Sequence, residues 1–313
     1  MAILYLISGW QTDHWVSAMR ELAPERDVRL WPDAGALSEI DYVLAWKPLT
    51  GVFKTLPNLK AIFSLGAGVD AIMADPDLPG VPVARIVDPD LTMRMTEYVV
   101  LHVLMHHRQQ RRYDAVQARR EWRPLDQPPA NAVRVGIMGL GALGRDAAEK
   151  LRDLGFDVAG WSRSPKRVEG VACFAGDDGL KPFLARTDIL VCLLPHTPET
   201  EGLIDRKLIA GLARDGAIEG PALINAARGK LQVEADILAA LDDGTLAHAT
   251  LDVFETEPLP QESPFWTHPR VTLTPHVASD SDPLSLTRNI LAQIERFEAG
   301  QPLENLVDRN RGY

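Results

Sequence analysis

Cysteine is nearly missing from this chain of 313 residues: only Cys173 and Cys192 occur. Two thiols cannot build a disulfide framework or a cysteine-rich zinc site, so a reducing, cytoplasmic setting is expected. Long apolar runs are missing too. The best candidate for a membrane span is interrupted by His102, His106 and His107, and no run reaches spanning length. The N-terminal stretch from Met1 to Ser8 has no basic region and is too short for a signal core, so it reads as a buried first strand. An excess of positive charge is absent as well. The formal charge is −10, which makes nucleic acid and anionic membrane poor partners. Basic residues cluster at Arg108, Arg111, Arg112, Arg119, Arg120 and Arg123, at a roughly helical spacing that suggests a solvated face or a subunit contact. No histidine or carboxylate cluster has metal-ligand spacing, so no metal is expected.

What is present is an ordinary globular composition, 46% hydrophobic and 24% charged, in a chain long enough for two domains. The apolar run Val133–Met138 leads directly into Gly139-Leu140-Gly141-Ala142-Leu143-Gly144. A strand that ends in G-x-G-x-x-G and opens a helix is the phosphate-binding turn of a dinucleotide fold. The following segment, Ala142 to Leu154, has Leu143, Ala147 and Leu151 on one helical face, and Gly155 stops it. Its N-terminus would offer N–H groups and the positive end of its dipole to phosphates.

The second strand selects the dinucleotide. A site for NAD needs a carboxylate at the end of that strand, to bond the ribose hydroxyls. After Asp157–Gly160 come Trp161-Ser162-Arg163-Ser164-Pro165-Lys166-Arg167, with no carboxylate before Glu169. Hydroxyls and cations suit a 2′-phosphate, which an Asp would repel. NADP(H) is therefore expected over NAD(H), held mainly by Ser162, Arg163 and Ser164, with Lys166 as a weaker contributor.

Further predicted strands are Ala2–Ile7, Val28–Trp31, Tyr42–Ala45, Ala61–Ser64 and Val83–Val87, then Ile189–Leu194, Ala222–Asn225, Ala249–Val253 and Val271–Thr274. Their alternation with helical segments argues for α/β architecture with parallel sheets. The spacing predicts one long helix from Thr92 to about Arg120, a proline-rich arm over Trp122–Ala130, and an amphipathic last helix over Pro283–Gly300 carrying Ile290, Leu291, Ile294 and Phe297. Because the glycine motif lies mid-chain, residues 1–99 and 284–313 are expected to form one doubly wound domain. Residues 100–283 would be an inserted Rossmann domain, with a cleft between the two.

Three segments follow predicted strands where open α/β sheets bind ligands: Asn225-Ala226-Ala227-Arg228-Gly229, Leu251-Asp252-Val253-Phe254-Glu255-Thr256-Glu257-Pro258-Leu259-Pro260 and Thr274-Pro275-His276-Val277-Ala278. Together with the glycine motif and Leu193-Leu194-Pro195-His196-Thr197-Pro198-Glu199-Thr200, they occur in the order seen in the D-isomer-specific 2-hydroxyacid dehydrogenase family, which the chain resembles over nearly its whole length. Ala45-Trp46-Lys47-Pro48, Thr96-Glu97-Tyr98-Val99 and Ser263-Pro264-Phe265-Trp266-Thr267-His268-Pro269 are most similar to the glyoxylate/hydroxypyruvate reductase A branch. Two departures stand out. Residues 214–221 look like a small surface insertion, and residues 280–282 are unusually acidic.

The resemblance implies a flavodoxin-like substrate domain, a Rossmann domain and reduction of a small 2-keto acid by hydride from the nicotinamide. Arg228 suits the carboxylate and ketone because its planar fork bonds both. His276 suits the proton donor, and Glu257 would orient its ring and favour its charged form. Leu65-Gly66-Ala67-Gly68 is similar to the family's substrate-carboxylate loop, its glycines permitting backbone angles that present several N–H groups. Trp46 either closes the substrate pocket or belongs to the core. Beside Gly139, Gly141, Ala142, Leu143 and Gly144, the cofactor residues implied are Leu194, Pro195, Thr200, Ala226 and Asp252, the last of which could instead be a strand-end cap. The arm near 92–130 resembles a dimer contact. Bulkier 2-keto acids, such as phenylpyruvate or branched-chain keto acids, remain an alternative substrate class, and a non-catalytic dinucleotide sensor is a lower-ranked one.

Overall fold

The computed structural model describes residues 1–313. The chain divides into two units, Met1–Leu91 with Ser281–Tyr313, and Thr92–Asp280. The sequence put these boundaries at 99/100 and 283/284. In the structure the first unit ends at Leu91, inside the first turn of the helix Pro89–His107, and resumes at Ser281, just before the last helix.

The first unit holds β1 (Ala2–Ile7), β2 (Asp27–Leu30), β3 (Ile40–Trp46), β4 (Ala61–Ser64) and β5 (Val83–Ala84), in the order β2-β1-β3-β4-β5. All pairs are parallel, and the order is flavodoxin-like. The strands are apolar on both faces because helices cover both. Ile3 and Tyr5 point into one core with Trp15, Met19, Ile290 and Ile294, and Leu4 and Leu6 into another with Val43, Phe53 and Ile62. The last helix, Pro283–Glu298, therefore packs where the apolar spacing placed it. The acidic stretch before it has a structural use: Asp282 caps this helix by accepting from Ser285 N at 2.7 Å. Beyond it, Val307 N bonds Val83 O at 2.8 Å and Leu306 bridges Ala84, so the tail covers the edge of β5.

The second unit holds β6 (Arg134–Met138), β7 (Asp157–Ser162), β8 (Ala172–Ala175), β9 (Ile189–Cys192), β10 (Ala222–Asn225), β11 (His248–Leu251) and β12 (Val271–Leu273). Their order, β12-β11-β10-β9-β6-β7-β8, is the doubly wound Rossmann arrangement with one further strand. Ile189, Val191 and Ile224 enter one core, and Leu190, Cys192 and Leu223 the other. The sequence reading missed β8. It is an edge strand whose residues are exposed or half-buried, so it carries no apolar signature.

The predicted helix from Thr92 to Arg120 is two helices, Pro89–His107 and Gln110–Ala118. Gln109 between them is left-handed, with φ of 57°, and Gln127 from the proline arm bonds the His107 carbonyl at 2.9 Å. The basic cluster is not one solvated face. Arg111 donates to the Val271 carbonyl at 2.7 Å, and Arg112 pairs with Glu219 at 3.0 Å. The 214–221 segment is largely at the surface but is tied to the sheet. Asp215 joins the Arg134–Asp188 pair at 2.8 Å, and a side chain at Gly216 would fall 2.0 Å from Asp188 Oδ1. No helix is long and apolar enough to cross a membrane.

Candidate active site

The glycine turn closes β6 and opens the helix Ala142–Asp153. Each glycine answers a different demand. Gly139 has φ of 103°, and a Cβ there would lie 2.7 Å from the Leu193 carbonyl oxygen. A Cβ at Gly144 would lie 1.8 Å from the Gly139 oxygen, so this residue lets the helix approach the strand. At Gly141 a Cβ would meet nothing within 4 Å, and no side chain caps the helix there. That open cradle at a helix N-terminus is what a pyrophosphate requires. Leu143 is half-buried behind the turn. The residues fit a dinucleotide.

At the end of β7 the roles divide. Ser162 is buried and donates to the Ser164 carbonyl at 2.8 Å, so its hydroxyl shapes the turn. Arg163, Ser164 and Lys166 are exposed. Glu199 is held below the usual carboxylate range, chiefly by a hydrogen bond with Thr197 and in smaller part by the charge of Arg163. Within the 195–200 turn, Thr200 Oγ1 donates to Pro195 O at 2.7 Å and accepts from Thr197 N at 2.8 Å. The Thr200 hydroxyl thus holds the turn, and Leu194 and Ala226 are buried.

Arg228 follows β10 in extended conformation, with Nη1 donating to its neighbour's carbonyl, Ala227 O, at 2.8 Å. The loop is shaped by two buried amides. Asn225 accepts from Ala227 N at 3.1 Å and donates to Gln232 Oε1 at 2.8 Å, and Gln232 in turn donates to Val253 O at 3.0 Å. Gly229 brings this loop against the next one. A Cβ there would lie 1.9 Å from the carbonyl carbon of Phe254.

The loop after β11 carries Glu257, and the loop after β12 carries His276. His276 Nδ1 donates to Glu257 Oε2 at 2.8 Å, with 28% and 23% of the two side chains exposed. Glu257 Oε1 accepts from Phe254 N at 3.2 Å. With Nδ1 turned to the carboxylate, Nε2 is the nitrogen that can exchange a proton with a substrate. His276 is left-handed, with φ of 56°, unusual for a residue with a Cβ. Asp252, 1% exposed, secures it: Oδ1 accepts from Val277 N and Oδ2 from Ala278 N, both at 2.9 Å. The visible work of Asp252 is thus to cap and anchor the His276 loop.

In the first unit, Trp46 is half-buried and stacks on Trp10 at 4.1 Å, which stacks on Trp15 at 5.7 Å. Leu65 is buried and extends β4 by bonding Ala45 O at 3.0 Å. The expected role of the glycines here needs correction. Gly66 is not in the left-handed region; it is required because a Cβ would lie 2.4 Å from the Trp46 ring. Its N–H is engaged by Ser64 Oγ at 3.3 Å, and the same hydroxyl lies 2.8 and 2.9 Å from the Gly66 and Gly68 carbonyls. Ala67 and Gly68 are half-exposed.

The sequence reading missed Gln232, Tyr98 and the part played by Thr274. Gln232 has no local signature, since its partners lie seven and 21 residues away. Tyr98 and Thr274 both stand inside the family's strings, but only geometry shows the two hydroxyls meeting at 2.7 Å and Thr274 donating to Asp252 at 2.7 Å.

Comparison with known proteins agrees with this architecture. Residues 100–278 match the D-isomer specific 2-hydroxyacid dehydrogenase, NAD binding domain. The glyoxylate/hydroxypyruvate reductase A of Serratia proteamaculans is 42% identical, and that of Escherichia fergusonii 43%, each over the full length of both chains. Among solved structures, the NADPH-dependent glyoxylate/hydroxypyruvate reductase of Sinorhizobium meliloti, in complex with NADP and sulfate, aligns over 100% of both chains with a TM-score of 0.95 and 47% identity. A D-isomer specific 2-hydroxyacid dehydrogenase from Xanthobacter autotrophicus, in complex with NADPH, aligns over 100% of this chain and 99% of its own, with a TM-score of 0.94 and 44% identity. With a matching nucleotide-binding domain and full-length relatives above 40% identity, the chain belongs to the D-isomer-specific 2-hydroxyacid dehydrogenase family.

Proposed function

We propose that this enzyme reduces small 2-keto acids with NADPH, converting glyoxylate to glycolate and hydroxypyruvate to D-glycerate. The observation that carries the reading is the His276–Glu257 pair at 2.8 Å, whose Glu257 sits on the loop packed against the one that presents Arg228. The guanidinium binds the carboxylate and ketone oxygen of the substrate together. His276 Nε2 gives its proton to the oxygen that becomes the hydroxyl, and Glu257 stabilises the ring while it is charged. NADPH supplies the hydride when bound. The glycine cradle would hold its pyrophosphate, with Ala142 and Leu143 at the helix start and Leu194, Pro195 and Ala226 as walls. Arg163, Ser164 and Lys166 would hold its 2′-phosphate, on a turn shaped by Ser162. On the substrate side we assign Ala67 and Gly68 to the carboxylate, with Leu65 and Gly66 as their support and Trp46 as a wall favouring short side chains. The relatives' names support small substrates over bulkier keto acids.

A keto-acid panel with both cofactors tests this. Glyoxylate and hydroxypyruvate should be turned over well and phenylpyruvate poorly, and NADPH should be used faster than NADH. Equal rates with both cofactors would sink the selectivity claim, and His276→Asn should abolish turnover while leaving NADPH binding nearly intact. A cytoplasmic homodimer belongs to the same proposal. It is supported by Trp122, which stands fully exposed on the proline arm, and sedimentation would test it.

A further inference from the structure

The hydrogen bonds behind the His276 loop have a direction. A carboxylate only accepts, so Thr274 Oγ1 donates to Asp252 Oδ1 at 2.7 Å. Its one proton engaged, Thr274 must accept from the Tyr98 hydroxyl, also at 2.7 Å. Burial pushes the Tyr98 phenol well above its usual range, so it keeps its proton at any working pH. The chain thus runs from Tyr98 through Thr274 to Asp252.

At its end, Asp252 collects three successive backbone N–H groups. Its carbonyl accepts from His276 at 2.8 Å, and its two carboxylate oxygens accept from Val277 and Ala278 at 2.9 Å. A left-handed histidine between two such anchors can hold one orientation only while the carboxylate keeps its own. Tyr98 is well suited to fix it. It comes from the helix Pro89–His107, 176 residues away in sequence, beside Val99 and Val103, which are completely buried. Its ring packs on His102 at 4.2 Å.

We propose that Tyr98 and Thr274 are positioning residues for the proton transfer: by fixing the Asp252 carboxylate, they fix the backbone that aims the His276 imidazole. This rests on His276 being the proton donor. Neither residue need touch substrate or cofactor, so substrate binding and chemistry should respond differently to their loss.

Tyr98→Phe removes one oxygen and keeps the ring packing, and Thr274→Val removes the hydroxyl and keeps the shape. Tyr98→Phe should lower kcat about three- to tenfold, as expected for one neutral hydrogen bond, and Thr274→Val, which also breaks the bond to the charged carboxylate, by at least as much. KM for glyoxylate and the Kd of NADPH, read by fluorescence titration, should stay within about twofold of wild type. Thr274→Ser, which keeps the hydroxyl, should restore most of kcat. The double variant should be no slower than Thr274→Val alone, because both break the same chain. On the residual turnover of a His276→Gln enzyme, read at high enzyme concentration, adding Tyr98→Phe should cost nothing more. If Tyr98→Phe lowers Tm but leaves kcat unchanged, or slows the His276→Gln enzyme by the same factor as wild type, this proposal fails alone. If His276→Gln itself retains full turnover, the proton-donor reading fails, and this proposal with it.

Discussion

Two loops of this molecule look alike in sequence and differ in construction. Each follows a parallel strand, each is rich in glycine, and each was expected to present backbone N–H groups to an anion. In the 139–144 turn the glycines serve separate ends: a positive φ at 139, open space at 141, and helix–strand contact at 144. In the 65–68 loop, Gly66 serves only to make room for Trp46, and Ser64 engages its N–H. The first loop is a cradle held open by backbone geometry. The second is a strap pinned by a buried serine and roofed by a tryptophan. A glycine count cannot separate these cases; what a Cβ would strike can.

That distinction can be broken by substitution. The largest effect should come from Gly144→Ala. Its Cβ would fall 1.8 Å from a backbone oxygen that cannot step aside, so a loss of about 3 kcal/mol or more is expected, measurable as a drop in Tm even without ligand. Gly141→Ala should do the opposite. The position is extended and uncrowded, so Tm of the free protein should hold, while NADPH affinity falls by about tenfold or more, equivalent to about 1.4 kcal/mol. If Gly141→Ala binds NADPH normally, the open cradle is not the phosphate site. Gly66→Ala pushes on an aromatic ring instead of backbone. A loss of about 1–2 kcal/mol is expected, and most of it should return in Gly66→Ala combined with Trp46→Leu. A cost that persists in the double variant would show that the strap needs its glycine for another reason.

The smallest effect calibrates the scale. In the first unit, Arg26 and Glu298 are paired at 2.6 Å, and the hydrogen bond from Arg26 holds the Glu298 carboxyl below its usual range. Its folded value is depressed, so the stabilisation is present above the ordinary carboxylate range, near pH 4.3, and is lost as pH falls through the folded value. Glu298→Gln should therefore lower stability by about 0.5 kcal/mol at pH 7, and the difference should vanish in strong acid. Chemical denaturation at the two pH values would check it.

The legible parts of this chain are those whose cause is local. Val133–Met138 and Ile189–Cys192 announce themselves because a parallel strand buried on both faces must be apolar throughout. The glycine motif is legible because strand, turn and helix fit within twenty residues. Arg228, Glu257 and His276 stood out through the family's strings, whereas the pairing of Glu257 with His276 is tertiary. Ala172–Ala175 was not legible, since an edge strand needs no apolar pattern. The break at Gln109 was hidden because the apolar spacing continues past it and the side chain that covers the last carbonyl, from Gln127, arrives from the arm. The reason for Gly66 was hidden for the same kind of cause: Trp46 lies on the neighbouring strand, twenty residues earlier.

Gly229 sets a boundary on how this enzyme can change. A methyl group there would overlap the Phe254 carbonyl, 1.9 Å away, so the loops bearing Arg228 and Glu257 are locked like two gears with no backlash. Neither can be lengthened or re-aimed by a single substitution at the point where they meet. With Trp46 as the proposed pocket wall, its stacked but half-exposed ring is where selection for a new substrate has room to work. An engineer who randomises the reactive loops should recover mostly dead variants, and one who randomises the aromatic column should recover altered preferences.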